Sequence, residues 1–198
     1  MTTYPTVLID GLWQSRDGKR EVFDPSNGEL VGAIDYPDQA QAVVDTNAAA
    51  DAAAAAFPGW AATPARARAD VLLRAAALIR ERSDEISLLL AREAGKRLPE
   101  AAGEIAFSAE YFQWFAEEAR RLGGVYPAHE AAHRRHLVIR RPVGVVASLT
   151  PWNFPCSIQA RKLAPALAAG CTVVARVSEK APLAVTELIR CLTDAGVP

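Results

Sequence analysis

The first part of the chain alternates short apolar runs with turn-forming residues. Residues 7–34 contain the runs VLIDGLWQS and REVFDPSNGELVGAI, each only a few apolar residues long. The dipeptides Asp17-Gly18 and Asn27-Gly28 are strong short-range signals for tight turns between strands. The pattern predicts a small antiparallel β-ribbon.

Residues 38–122 change to helical periodicity, which predicts three helices. The first begins after Asp38, a candidate N-cap, and ends before Pro58-Gly59. The second begins at Thr63-Pro64, carries an apolar stripe, and breaks near Gly95. The third runs from about Pro99 to Gly123-Gly124 and is rich in aromatic residues, which at helical spacing are expected to pack in the core.

The period changes again after residue 132. In HRRHLVIRR, residues 133–141, Leu137 and Ile139 alternate with polar residues, which is typical of an edge strand with one wet face. In VGVVASL, residues 143–149, the alternation is lost, which favours a parallel strand buried on both faces.

The last part of the chain predicts an α/β unit. Residues 155–169 read as a helix with Gly170 just past its end, and residues 171–175, CTVVA, read as a second buried strand. A second helix opens at Pro182 and closes at Gly196. The order strand, helix, strand, helix is the beginning of a parallel sheet with right-handed crossovers.

Composition adds few constraints. The chain has 198 residues, is 51% hydrophobic and 23% charged, and carries a net charge of −1, so a nucleic-acid partner or an anionic membrane surface is not expected. We expect the three cysteines to be buried thiols in a reducing compartment, and their spacing fits no metal site. The N-terminus lacks a signal-peptide pattern and no apolar run reaches about 18 residues, so a cytoplasmic protein without a membrane span is expected.

Two loops follow the predicted parallel strands. TPWNFP, residues 150–155, and RVSEKAP, residues 176–182, stand at carboxyl ends of strands, where open parallel sheets bind ligands. No Gly-rich dinucleotide or phosphate motif follows either strand. Trp152 is either a plug under the sheet edge or a ligand contact. Asn153 either caps the helix or turn, or offers its NH₂ as a neutral donor to a developing oxyanion.

Several motifs carry a family resemblance along essentially the whole chain. PWNFP, RKLAPALAAG, CTVV and a basic-x-x-Glu loop occur in order, preceded by IDGLWQ, FDPSNGELVG, REAGKRLPEAAGEI, YFQWFAEEARR and IRRPVGVV. The chain resembles the N-terminal portion of NAD(P)-dependent aldehyde dehydrogenases and is most similar to the succinate-semialdehyde dehydrogenase group. The resemblance implies an α/β fold: residues 1–125 as ribbon and helices of the cofactor-binding domain, 126–142 as a β-arm of oligomerisation type, and 143–198 as the first half of a Rossmann-like NAD-binding sheet.

The resemblance also implies roles for seven residues. Asn153 matches the oxyanion-stabilising asparagine, and Arg161 matches the arginine that grips the distal carboxylate of a semialdehyde. The predicted cofactor contacts are Thr150, Pro151, Trp152, Arg176 and Glu179. The implied ligands are an aldehyde and NAD, with NADP possible, in a protein expected to form a homo-oligomer. The alternative for Arg161 is a solvated helix charge like that of Lys162.

The sequence departs from the family pattern in two ways. Arg176 stands where lysine is usual, so contacts to ribose hydroxyls are altered. The family's Gly-rich cofactor loop, general-base glutamate and nucleophilic cysteine have no counterpart in the 198 residues, which are therefore expected to be inactive and to fold poorly alone. A non-catalytic module that binds other subunits through HRRHLVIRR is the alternative, although the basic charges there could simply keep the strand soluble.

Overall fold

The fold combines small N-terminal sheets, four helices and a βαβα unit. The computed structural model describes residues 3–131 and 133–198. Met1 and Thr2, which belong to the predicted segment 1–125, and Ala132, which belongs to the predicted arm 126–142, lie outside the described residues. The elements are, in order, β1 Thr3–Tyr4, β2 Val7–Ile9, β3 Leu12–Gln14, β4 Lys19–Phe23, β5 Leu30–Asp35, α1 Gln39–Ala62, α2 Ala65–Glu81, α3 Ser83–Ala94, α4 Leu98–Ala119, β6 Val145–Leu149, α5 Pro155–Ala169, β7 Thr172–Arg176 and α6 Leu183–Asp194.

The predicted ribbon forms two antiparallel pairs in separate sheets. Strands β2 and β3 pair around Asp10-Gly11, where both residues have positive φ, a turn that the sequence reading missed. Strands β4 and β5 pair around the predicted Asn27-Gly28 turn, and β1 adds to β5 in parallel. The prediction of a hairpin turn at Asp17-Gly18 is wrong, because this dipeptide links β3 of one sheet to β4 of the other.

Two helix boundaries differ from the prediction. Helix α1 continues through Pro58 to Ala62, because Trp60 is buried and its indole donates a hydrogen bond to the carbonyl oxygen of Leu167 at 3.0 Å. The stripe predicted as one helix is split at Arg82 into α2 and α3. Arg82 pairs with Asp194 at 2.7 Å, so its position is set by a contact with the far end of the chain.

Helix α4 presents aromatic residues in two directions. Phe112 is fully buried between the helices, as expected. Trp114 is 63% exposed, so the expectation that the aromatic stripe packs in the core is wrong for this residue. Phe107, on the same helix, is also 47% exposed. Helix α4 ends at Ala119, four residues before the glycine pair that was predicted to stop it.

The βαβα unit confirms the predicted α/β order. Helix α5 spans the predicted residues 155–169 and ends at Gly170, whose φ of 93° is a left-handed conformation that suits glycine. Strands β6 and β7 are parallel and in register from Val145 with Thr172 to Leu149 with Arg176. Helices α2, α4, α5 and α6 pack around one apolar core.

Two extended segments depart from the prediction. Residues 133–141 form no strand; the only pairing described there is a bridge between Val125 and Val138. Strand β6 was expected to be buried on both faces, yet Val145 is 41% and Leu149 67% exposed. Among the described residues β6 pairs only with β7, so its other edge and part of its faces remain uncovered.

Candidate functional site

Two loops leave the same edge of the parallel sheet. Leu149 and Arg176 are partners at the carboxyl ends of β6 and β7, and the backbone N–H of Thr150 donates to the carbonyl oxygen of Arg176 at 3.3 Å. The prediction that both loops lie at the carboxyl edge is therefore confirmed. Residues 150–154 and 177–182 form the two sides of the candidate site.

The first loop has an anchored start and an exposed tip. Thr150 is 7% exposed, and its hydroxyl donates to Oε1 of the buried Gln159 at 2.8 Å, so the side chain fixes the loop from below. Trp152 is 52% exposed, so the interpretation of this residue as a plug under the sheet edge is wrong. Pro151 is also exposed. The indole and the proline ring are therefore available to a ligand.

Asn153 is exposed and lies two residues before Pro155, the first residue of helix α5. The N-cap of α5 is Phe154, and the helix has no side-chain cap of its own, so the capping interpretation of Asn153 does not hold. Within residues 3–131 and 133–198, no protein hydrogen bond engages the carboxamide of Asn153. Its NH₂ group is thus a free neutral donor at the positive end of a 15-residue helix.

The second loop carries an ion pair. A guanidinium nitrogen (Nη2) of Arg176 lies 3.1 Å from Oε2 of Glu179, with the two side chains 65% and 27% exposed. The backbone N–H of Glu179, together with the charge of Arg176, holds the pKa of this carboxyl below its usual value despite the opposing effect of burial. Lys180 lies 5.5 Å from the ring centroid of Trp152, which connects the two loops.

Arg161 lies on the outer face of α5 against an aromatic residue of α4. Its Nε donates to the hydroxyl of Tyr111 at 2.8 Å, and its guanidinium carbon lies 5.4 Å from the centroid of that ring. The side chain is exposed but is held in place, which makes it unlike a freely solvated lysine. The exposed Phe107 and Trp114 occupy positions one turn away from Tyr111 on the same helix.

Two buried glutamates support these loops, and sequence reasoning missed both. Oε1 of Glu104 accepts the backbone N–H groups of Cys156 and Ser157, the first turn of α5, at 3.0 and 3.1 Å. Glu93 accepts those of Leu183 and Ala184, the first turn of α6, at 2.7 and 2.8 Å. A signal existed: Glu104 occupies a helix position between Ala101 and Ser108, on a stripe whose other members are buried.

The three cysteines are buried free thiols, as predicted. Burial raises the pKa of Cys156 well above its usual value and that of Cys191 to about 11, so these two are protonated at neutral pH. The described residues contain no cluster of three metal-binding side chains. None of the helices within the described ranges is both long enough and apolar enough to cross a membrane.

Comparison with known proteins identifies the family. The model of the aldehyde dehydrogenase family matches residues 13–198. The chain belongs to the aldehyde dehydrogenase family. The matched region includes both loops, Arg161 and the two supporting glutamates, so every predicted site residue lies on family sequence.

Individual relatives within this family are similar over part of their length. A probable succinate-semialdehyde dehydrogenase [NADP(+)] of Sinorhizobium fredii is 45% identical, over 89% of this chain and 35% of that protein. The crystal structure of succinate-semialdehyde dehydrogenase from Burkholderia pseudomallei is 41% identical with a TM-score of 0.90, over 96% of this chain and 39% of that one. A crystal structure of an NAD-dependent aldehyde dehydrogenase from Sinorhizobium meliloti is 32% identical with a TM-score of 0.92, over 100% of this chain and 39% of that one.

These matches confirm the predicted fold and set its extent. The α/β arrangement agrees with the N-terminal portion of aldehyde dehydrogenase structures. The chain spans between 35% and 39% of the length of the three relatives.

Proposed function

We propose that the full-length protein containing these residues oxidises an aldehyde that carries a second acidic group, such as succinate semialdehyde, to the carboxylic acid, with NAD or NADP as the oxidant. The observation that carries the proposal is the free carboxamide of Asn153 beside the Glu179 loop at one edge of a parallel sheet. Similarity to succinate-semialdehyde dehydrogenases supports the substrate class.

Asn153 would act on the oxygen of the aldehyde. When a nucleophile adds to the carbonyl carbon, negative charge develops on that oxygen, and a preorganised neutral donor stabilises it. The NH₂ group of Asn153 is exposed and precedes the N-terminus of α5, whose dipole favours negative charge at the same place. The neutral donor and the helix N-terminus would both stabilise negative charge on the aldehyde oxygen.

The residues of the two loops fit a dinucleotide. Glu179 is ionised and partly exposed, so it can accept hydrogen bonds from ribose hydroxyls, while Trp152 offers an exposed flat surface at the sheet edge. The bound nicotinamide would supply the chemistry of hydride acceptance. Pro151, Trp152, Arg176 and Glu179 would bind and orient the dinucleotide, while the buried Thr150 would hold the first loop in place through Gln159. Water would supply the second oxygen of the acid.

Cofactor preference is expected to depend on Glu179. The names of the relatives include both NADP(+) and NAD, so they do not decide the choice. A carboxylate at the ribose repels a 2′-phosphate, so we expect higher kcat/KM with NAD than with NADP, and Glu179→Gln to narrow that ratio by about tenfold. Steady-state kinetics with both cofactors measure this; a wild-type enzyme that prefers NADP contradicts the assignment.

Substrate preference is expected to depend on Arg161. A guanidinium held by Tyr111 can bind a distal carboxylate. Arg161→Ala should raise KM for succinate semialdehyde at least about tenfold more than KM for propanal. Lys162→Ala, the adjacent exposed cation, is the matched control and should change neither. An equal effect of Arg161→Ala on KM for both aldehydes would support the alternative interpretation, in which Arg161 is only a solvated charge on the helix.

The reaction is tested by following reduction of the nicotinamide with a panel of acidic and uncharged aldehydes. Turnover of semialdehydes by the full-length protein supports the proposal, and the absence of turnover with every aldehyde refutes it. A polypeptide of residues 1–198 alone is expected to be inactive, because Cys156 and Cys191 are buried and protonated and Cys171 is buried at the start of β7. The free thiols also favour a reducing, cytoplasmic location.

A second candidate function is binding of other subunits without catalysis. It is favoured by the apolar exposure along residues 137–143, where Leu137 is 73% and Val143 88% exposed. Surfaces of this kind are associated with protein contacts. A full-length protein that forms oligomers but turns over no aldehyde would support this candidate over the enzyme.

A further inference from the structure

Helix α5 is held at its start by a residue from another helix. Phe154, its N-cap, contributes no side-chain hydrogen bond, and the two N–H groups that follow are taken by Glu104 of α4. The side chain of Glu104 is only 1% exposed, so water does not compete for these contacts. The orientation of the first turn of α5 therefore depends on where α4 places this carboxylate.

Lys96 connects the same carboxylate to Asn153. Its ammonium group pairs with Oε2 of Glu104, donates to the backbone carbonyl oxygen of Asn153 at 3.2 Å, and lies 4.1 Å from the ring centroid of Phe154. The lysine side chain is 13% exposed although the loop above it is exposed. One partly buried cation thus contacts Asn153 and the residue after it.

We propose that Lys96 and Glu104 are positioning residues that set the direction of the Asn153 carboxamide. This inference rests on the proposed role of Asn153 as the oxyanion donor. Glu104 fixes the N–H groups of residues 156 and 157, and Lys96 fixes the carbonyl of residue 153, so the backbone is held on the C-terminal side of the Asn153 side chain.

The energetic reason is the precision that an oxyanion donor requires. Phe154 has φ −139° and ψ 65°, outside the regular helical and strand regions. Its carbonyl oxygen accepts the backbone N–H of Ile158 at 3.0 Å, but no regular secondary structure continues toward Asn153. A displacement of about 1 Å at a reacting group can lower the rate by about 100-fold. Charge-assisted hydrogen bonds from the partly buried Lys96 supply the constraint that the exposed loop lacks.

A double-mutant cycle in the full-length protein tests the proposal. The variants are Lys96→Met, Asn153→Ala and their combination, with kcat and KM measured for the aldehyde that the wild type turns over. We expect Lys96→Met to lower kcat about 10- to 100-fold with KM and cofactor Kd changed less than about threefold. In the Asn153→Ala background, Lys96→Met should change kcat less than about twofold, because its effect passes through Asn153.

Each other outcome has a defined meaning. If Asn153→Ala leaves kcat unchanged, the proposed role of Asn153 fails. If Asn153→Ala lowers kcat but Lys96→Met leaves kcat unchanged, the positioning role is overturned while the role of Asn153 stands. The same conclusion holds if Lys96→Met lowers kcat by the same factor with and without Asn153→Ala. Lys96→Arg, which keeps the charge and a donor, should recover part of the lost kcat; equal loss in Lys96→Arg and Lys96→Met counts against the proposal.

Matched variants separate positioning from folding. Arg97→Met removes the next cation along the chain, which is 81% exposed and pairs only with Glu100 among the described residues, and should leave kcat unchanged. If Lys96→Met does not fold, Glu104→Gln replaces it in the cycle, because the amide keeps an acceptor for α5 while losing the ion pair with Lys96. Non-additivity of Glu104→Gln with Asn153→Ala is expected, and additivity overturns the proposal.

Discussion

Replacing Asn153 with alanine is expected to lower kcat for aldehyde oxidation by about 100- to 1000-fold, the usual effect of losing one oxyanion donor. KM and cofactor Kd should change little, because the contact strengthens only as charge develops on the oxygen. The carboxamide is exposed, is not engaged by protein groups within the described residues, and precedes the N-terminus of α5, so its removal leaves no buried group unpaired.

Two further variants define this result. Asn47→Ala removes an exposed asparagine of α1, remote in sequence from both loops, and should leave kcat unchanged. Asn153→Asp has nearly the same shape but places a negative charge beside the developing oxyanion, so kcat should fall at least as far as in Asn153→Ala. Full activity of Asn153→Asp would show that the residue does not donate to an oxyanion.

Stability is expected to fall as pH rises because of Glu93. Burial raises the pKa of this carboxyl to about 7, with a further increase from the charge of Glu104, while the N–H groups of Ala184 and Leu183 act in the opposite direction. The folded state therefore binds the proton more tightly than the unfolded state, whose ordinary pKa is 4.5. The contribution of protonated Glu93 to the free energy of unfolding is fully present below pH 4.5 and is lost as pH rises to about 7.

The measurement is urea unfolding of the full-length protein, as wild type and as Glu93→Gln, between pH 4.5 and about pH 7. The glutamine cannot ionise, so the free energy of unfolding of the wild type should fall relative to the variant by about 3 kcal/mol between the two pKa values. Glu110→Gln changes an exposed carboxylate of the same set of helices and should run parallel to the wild type. A constant difference between wild type and Glu93→Gln across the range would show that Glu93 has an ordinary pKa.

Local sequence patterns are sufficient to predict elements whose backbone hydrogen bonds lie within the element itself. Helix α5 was predicted with both boundaries, because Pro155 and Gly170 are local start and stop signals. The positions of the two loops followed from the order strand, helix, strand, helix, since parallel strands must place their carboxyl ends at one edge. The predictions failed where long-range contacts override local signals, as at Pro58, where the packing of Trp60 under α5 carries the helix onward.

Three features follow from the residues alone: the α/β class, the placement of the two loops at one sheet edge and, through PWNFP and the basic-x-x-Glu loop, the aldehyde dehydrogenase family. Three further features depend on three-dimensional packing: Asn153 and Trp152 are exposed, Arg161 contacts Tyr111, and Lys96 and Glu104 bind the backbone around the loop. The reason is distance along the chain: Glu104 meets its N–H partners 52 and 53 residues away, and Lys96 meets Asn153 57 residues away. Periodicity reports which face of a helix is buried, whereas a buried charge is explained only by the partner that packing brings to it.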